Sequence, residues 1–149
     1  MDWWGVVLWG LTTAVAWTDL RWHVIPNGFV VAGLVNAGLS LLWTHAWWHL
    51  AWAGGTWLVY EAWLAAYPGT LGWGDVKWAA VTMATLGPAG LLVLWAGHLG
   101  ALLWGTVRWC WRRGRRRPAS WRGQQIPWAP GAWVGLTGLF TLFWTVMAR

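Results

Sequence analysis

Charged residues are scarce in this chain, and acidic ones above all. Asp, Glu, Lys and Arg make up 9% of the 149 residues and only four residues are acidic, whereas 58% are hydrophobic. Soluble domains carry about 25% charged residues, so a water-soluble surface cannot be built from this composition. The composition therefore predicts a polytopic membrane protein without an additional soluble domain.

Cysteine is also nearly absent. The single residue, Cys110, excludes an intrachain disulfide and a cysteine-rich zinc site. The first apolar run follows Asp2 and has no Lys or Arg before it. Because it lacks the basic start of a cleaved signal peptide, we expect it to remain as the first helix. We expect neither a metal nor another cofactor.

Helix-breaking residues divide the apolar sequence into six predicted spans, which form an all-α bundle. The second span begins at Pro26 or Asn27, since proline suits a first helical turn and asparagine can cap free N–H groups. Tyr67-Pro68-Gly69 ends the third span, and Gly87-Pro88 divides the long apolar stretch after it. The predicted spans are about 3–18, 26–43, 46–66, 75–87, 88–107 and 128–147, in a single transmembrane domain over residues 1–149.

Positive charge orients this bundle. All Lys and Arg residues except Arg149 fall in the loops after the first, third and fifth spans or at their edges: Arg21, Lys77, Arg108, Arg112, Arg113, Arg115, Arg116, Arg117 and Arg122. The positive-inside rule makes that side cytoplasmic, with both termini outside. We interpret the cluster from Arg108 to Arg122 as a topology anchor that attracts anionic lipid head groups. Nucleic-acid binding is disfavoured, because the cluster adjoins a span and lacks a folded recognition module.

Two of the acidic residues, Asp19 and Asp75, lie at the edges of apolar runs on the cytoplasmic side. A carboxylate at a membrane boundary is costly to desolvate, which makes it a candidate functional group. Two such groups, one ionised and one protonated, can activate water and protonate the leaving nitrogen of a peptide bond, and they titrate as a unit. Taken singly, Asp75 would cap a helix and Asp19 would mark the end of one. Together on one membrane face they predict an aspartic peptidase.

The glycines beside Asp75 support a substrate site. Gly72 and Gly74 let the backbone approach a bound chain closely and adopt positive φ. An extended substrate requires such access.

Three stretches resemble the motifs of the type IV prepilin peptidases, a family of GxGD-type membrane aspartic peptidases. They are Asp19-Leu20-Arg21 with Ile25-Pro26-Asn27, then Gly72-Trp73-Gly74-Asp75-Val76-Lys77, and finally Ile126-Pro127-Trp128-Ala129-Pro130. Their order and the helix count agree with the family over nearly the whole chain. By motif position, the resemblance implies a catalytic pair, Asp19 and Asp75, and residues that shape the site or bind substrate, namely Gly72, Gly74, Lys77, Pro26 and Asn27.

The resemblance also implies a substrate and a location. A short basic leader would be removed from pilin-like precursors, usually after a glycine, at the cytoplasmic surface of the cell membrane. The chain would be the short, peptidase-only form, because one cysteine cannot supply the paired CxxC motifs of the family's N-methyltransferase insertion. The expected partners are the prepilin-like substrate and membrane lipids, and not nucleic acid.

Two other functions use the same features. A small transporter or proton relay would employ the two carboxylates, but it predicts them inside continuous spans rather than beside Pro-Asn and glycine turns. A non-catalytic membrane assembly factor would tolerate the loss of either aspartate.

The remaining polar residues are predicted to be structural. Glu61 is expected to face the bundle interior, with Lys77 or a helix hydroxyl as its partner, and Asn36 to hydrogen-bond between helices. His45 and His49 share a predicted helix face on the side opposite the aspartates, where we interpret them as interfacial residues rather than metal ligands.

Two histidines lie elsewhere. His23 is close to the aspartates and could tune the local charge. His98 is expected to pack within the fifth span.

Overall fold

The described part of the chain is helical throughout its regular structure. A computed structural model describes residues 3–69, 71–114, 133–138, 141–142 and 145. Five α-helices occur in this part: α1 (Trp3–Trp22), α2 (Asn27–Thr44), α3 (His49–Ala66), α4 (Trp73–Leu86) and α5 (Gly90–Gly114). A short 3₁₀ turn, Gly87–Ala89, joins α4 to α5, and residues 133–138 are also helical. The described residues contain no strand, and the predicted all-α class is confirmed.

The helix ends follow the predicted breaks, with four differences, of which one is that α3 begins at His49 rather than at about 46. α2 begins directly after Pro26, and Gly87-Pro88 separates α4 from α5, as predicted. α1 continues past the predicted end at 18, and α5 continues past 107 to Gly114. α4 begins at Trp73 rather than at Asp75, because the Asp75 side chain closes the first turn of the helix from within it.

The short helix α4 forms the centre of the bundle. It packs mainly against α2 and α3, and it also contacts α1 and α5. Its inner residues Val76, Trp78 and Val81 are completely buried. Trp78 fits because it lies over Gly33 of α2, where a Cβ atom would be 3.0 Å from the Trp78 ring and 2.7 Å from Val81. Only glycine leaves enough room at that crossing.

The helical piece 133–138 packs between α1 and α5. The Trp133 indole donates a hydrogen bond to Thr13 Oγ1 at 2.8 Å, and the Trp9 indole donates to Thr137 Oγ1 at 3.1 Å. A Cβ atom at Gly135 would meet the backbone of α5. The predicted sixth span is described only at these positions and at 141–142 and 145; the stretch 126–130 and most of the basic cluster lie outside the described residues.

The outer surface of the bundle is strongly apolar. Large hydrophobic side chains such as Trp43 (78% exposed) and Leu103 (68% exposed) point away from the core. Within the described residues, two helical stretches are long and apolar enough to cross a membrane: Asn27–Thr44, and Trp73–Val107, which runs through α4, the turn and α5. Asn36 donates a hydrogen bond to the Trp4 carbonyl at 3.1 Å, which confirms the predicted link between helices. The arrangement of six spans stays a prediction.

Candidate active site

Asp19 lies in the last turn of α1 and its side chain is buried. It is 6% exposed and follows Val15 and Thr18 on the buried face of the helix. α1 ends where His23 adopts a left-handed backbone conformation (φ 53°), and the His23 N–H donates to the Asp19 carbonyl at 2.9 Å. This closing turn holds Asp19 inside the helix, so the predicted end of the first span, just before Asp19, was wrong.

Asp75 lies in the first turn of α4 and is half-buried. Its Oδ2 accepts a hydrogen bond from the Gly72 N–H at 3.2 Å, which satisfies a donor at the helix start. The carboxylate also favours the positive end of the helix dipole. Asp75 therefore has the capping role considered from the sequence, and its other oxygen is not used in that bond.

The two aspartates meet at one end of the bundle. The charge of Asp19 acts on the carboxyl of Asp75, so the side chains from the end of α1 and the start of α4 are electrostatically coupled. Neighbouring carboxylates repel each other, and a pair of them in a poorly hydrated place holds one proton in common more easily than two full charges. Two carboxyls that interact in this way can supply one acid and one base.

A hydrogen bond fixes the start of α2 against the start of α4. Lys77 Nζ donates to Asn27 Oδ1 at 3.3 Å. Asn27 is the first residue of α2, and the preceding Pro26 is exposed in extended backbone (φ −61°, ψ 135°) without a side-chain cap. The predicted capping role of Asn27 was thus wrong, because its amide oxygen is directed to Lys77 instead of to its own helix. One predicted site residue from each motif, Asn27 and Lys77, is therefore in contact with the other.

The glycines beside Asp75 provide close packing rather than unusual backbone angles. A Cβ atom at Gly74 would be 3.0 Å from the Ile25 side chain, and one at Gly72 would be 3.2 Å from Asp75 Oδ2. Gly72 is extended (φ −84°, ψ 145°) and Gly74 is helical, so the expected positive φ was wrong at both. The positive φ in this turn belongs to Gly69 (φ 79°). Close approach is therefore what Gly72 and Gly74 contribute.

Tyr60 is a site residue that the sequence analysis missed. It lies on α3 one turn after Trp57, whose ring contacts the Trp73 ring at the start of α4 with centroids 6.2 Å apart. From this position Tyr60 interacts electrostatically with Asp75. Its hydroxyl is 3.2 Å from His98 Nε2 on α5, and the two rings are nearly parallel. His98 was predicted to pack within the fifth span. It is instead exposed and lies beside Tyr60.

Comparison of the chain with family models, with curated proteins and with solved structures finds no match.

Glu61 does not face the bundle interior. It is exposed on α3, and the Trp57 indole one turn earlier donates to its Oε2 at 3.1 Å. The predicted partner Lys77 bonds to Asn27 instead. Tyr60, the residue before Glu61, is directed inward. Successive side chains on a helix point about 100° apart, so Glu61 lies on a different face.

The two outer histidines do not share a helix face. His45 ends α2 in a left-handed conformation (φ 55°), and His49 begins α3 with its ring against Gly87 and Trp48. The intervening turn, residues 45–48, breaks the i, i+4 relationship that a continuous helix would have given.

Proposed function

We propose that this chain is a membrane aspartic endopeptidase, which removes the basic leader of pilin-like precursors at the cytoplasmic membrane face. The observation that supports it best is the coupling of Asp19 and Asp75, which come from different helices to the same end of the bundle. These are the two positions at which the sequence resembles the catalytic motifs of type IV prepilin peptidases.

The chemistry requires one negative charge and one proton on the pair. The ionised carboxylate removes a proton from water while the protonated carboxyl gives its proton to the oxygen of the scissile carbonyl, which forms a tetrahedral diol. One carboxyl then protonates the leaving nitrogen while the other carboxylate takes a proton from a hydroxyl of the diol. The C–N bond breaks, the new carboxylic acid forms, and the pair again holds one proton. The pair titrates as a unit, so neither aspartate is assigned as the base.

The neighbouring motif residues have positioning roles in this proposal. Asp19 is carried by α1 and Asp75 by α4, so their separation depends on how the loop after α1 meets α4. Ile25 packs against Gly74, and Asn27 accepts the Lys77 hydrogen bond. These two contacts tie that loop and the start of α2 to the turn of α4 that carries Asp75.

The membrane location of the site is part of the same proposal. Six spans, with basic loops on the cytoplasmic side, would put the ends of α1 and α3 and the starts of α2 and α4 in the cytoplasmic half of the bundle. A proton relay is less well supported, since Asp75 lies in the first turn of α4 and bonds to Gly72 there rather than in the middle of a span.

Cleavage of a defined precursor tests the proposal. The purified chain in detergent is incubated with a single-span precursor that carries a basic leader and a glycine at the junction, and the products are identified by mass spectrometry. Asp19→Asn and Asp75→Asn remove one proton site each with almost no change in shape, and each should abolish cleavage.

Glu61→Gln is the matched control, because it makes the same chemical change at an exposed acid outside the pair. It should leave cleavage unchanged. Normal turnover by either aspartate variant would contradict the proposal, as would the absence of cleavage by the unaltered chain.

A further inference from the structure

An apolar groove lies between α3 and α5. Its volume is about 780 Å³, and it runs along both helices from Ala51 and Leu91 to Tyr60 and Leu102. Its walls are almost entirely hydrophobic, with Val59 and Trp95 among the lining residues. Gly55 lies in the α3 wall, and a Cβ atom there would have nothing within 4 Å. The described residues around the groove therefore leave room beside α3.

Tyr60 and His98 form a polar pair within this groove. His98 Nδ1 is 2.7 Å from the Leu94 carbonyl, which can only accept, so Nδ1 carries a hydrogen. In the neutral ring Nε2 then accepts, and the Tyr60 hydroxyl donates to it at 3.2 Å. The rings stack with an interplanar angle of 7°. This fixed geometry leaves the lone pairs of the Tyr60 oxygen available as acceptors.

The polar pair connects the groove with the candidate active site. Tyr60 lies one turn after Trp57, whose ring contacts the Trp73 ring at the start of α4, and it interacts electrostatically with Asp75. The Tyr60 end of the groove is therefore the end nearer to Asp75, and the groove extends from Tyr60 towards the start of α3. An occupant would have a polar end at Tyr60 and an apolar body along the rest.

We propose that the groove between α3 and α5 holds the apolar helix of the substrate during cleavage, with the scissile junction beside Tyr60. This inference rests on the proposed function. A substrate helix that begins at the scissile junction has free backbone N–H groups in its first turn. A hydrogen-bond acceptor at the same level satisfies one of them. Gly55 and Ala51 allow a helix backbone to approach α3 closely. The acyl chain of a lipid and its ester group carry no hydrogen-bond donor for the Tyr60 oxygen.

The chain offers a matched pair of variants for the test. Gly54 and Gly55 are adjacent and exposed in the middle of α3, and neither has an atom within 4 Å of an added Cβ. Only Gly55 lines the groove. Gly55→Leu therefore fills the groove, and Gly54→Leu adds the same side chain beside it. The Cβ atom that each substitution adds meets no other atom within 4 Å.

Binding is measured separately from cleavage. A fluorescent precursor with an apolar helix of about 20 residues is titrated against detergent-solubilised protein carrying Asp75→Asn, so that it is not consumed. Gly55→Leu should raise its Kd about tenfold, a loss of one or two packed side chains. Gly54→Leu should stay within about twofold of the parent. In otherwise unaltered protein, KM should rise with Gly55→Leu while kcat stays the same.

The outcomes separate the two proposals. If Gly55→Leu weakens precursor binding but the unaltered chain does not cleave the precursor, the groove proposal stands and the peptidase proposal is wrong. If both glycine variants cleave the precursor with the same KM, the peptidase proposal stands and the groove proposal is wrong. If Gly55→Leu leaves precursor binding unchanged but removes a co-purifying lipid or a dimer, the groove holds that lipid or second copy, and the inference is overturned. A chain that neither binds nor cleaves the precursor would overturn both.

Discussion

The crossing of α2 and α4 at Gly33 gives the most direct test of the packing on which the candidate site depends. Gly33→Ala adds one methyl group to α2. The new Cβ would be 2.7 Å from Val81 Cγ1 and 3.0 Å from Trp78 Cζ3. Carbon atoms in contact prefer about 3.5–4.0 Å. Since Trp78 and Val81 are completely buried, neither can turn away, and the two helices must separate.

The magnitude follows from two opposing terms. Overpacking a core by one methyl costs about 1–3 kcal/mol. Replacing a helical glycine with alanine returns about 0.5–1 kcal/mol, because the unfolded chain loses flexibility. Gly38 is on the same helix and has nothing within 4 Å of an added Cβ, so Gly38→Ala has only the favourable term. The two variants should therefore differ by about 2 kcal/mol in their free energy of unfolding.

The assay is unfolding by SDS in mixed micelles, followed by far-UV circular dichroism. Gly33→Ala should unfold at a lower SDS fraction than the parent, and Gly38→Ala at an equal or higher one. Separation of α2 from α4 should also stretch the Lys77–Asn27 bond and lower the cleavage rate. Equal stability of the two variants would refute the tight contact of Gly33 with α4.

Three further predictions concern the site and its orientation. The double variant Asp19→Asn with Asp75→Asn should be no less active than either single variant, because residues that act as a unit are not additive; further loss in the double variant would contradict the pair. Lys77→Met and Asn27→Ala should each reduce kcat, and a double-mutant cycle should give a coupling of about 0.5–1.5 kcal/mol; additive effects would show that the bond does not matter. Reporter fusions in the α3–α4 turn should be cytoplasmic and those after Thr44 external; the reverse pattern would put the carboxyl pair on the wrong side of the membrane.

The sequence predicts those features that are determined by local signals. Pro26 cannot continue a helix from before it, and Gly87-Pro88 interrupts the apolar run, so both boundaries were predicted correctly. Charge scarcity made Asp19 and Asp75 conspicuous, and their placement at helix ends made a meeting plausible. The structure couples them.

Features that depend on how helices rotate against each other were not predictable in this way. The direction of Glu61 and Tyr60 depends on which face of α3 meets α4, and α3 has no fully buried residue to mark that face. His98 is assigned to the groove only by its contact with Tyr60, which lies on another helix. Likewise the pairing of Trp78 with Gly33 joins α4 to α2, and neither residue alone signals it.

The length of α4 determines the depth of the carboxyl pair. With 14 residues, α4 is roughly 21 Å long, whereas α1 with 20 residues and α5 with 25 are roughly 30 and 37 Å. In a bilayer with a hydrocarbon core of about 30 Å, α4 cannot reach both surfaces. If its outer turn at Gly87–Ala89 lies near one surface, Asp75 lies recessed from the other, among longer helices. A substrate must then bring its junction down to the pair. An open groove that leads along α3 and α5 to Tyr60 supplies such a path from within the membrane, and a soluble peptide would lack the apolar helix needed to follow it.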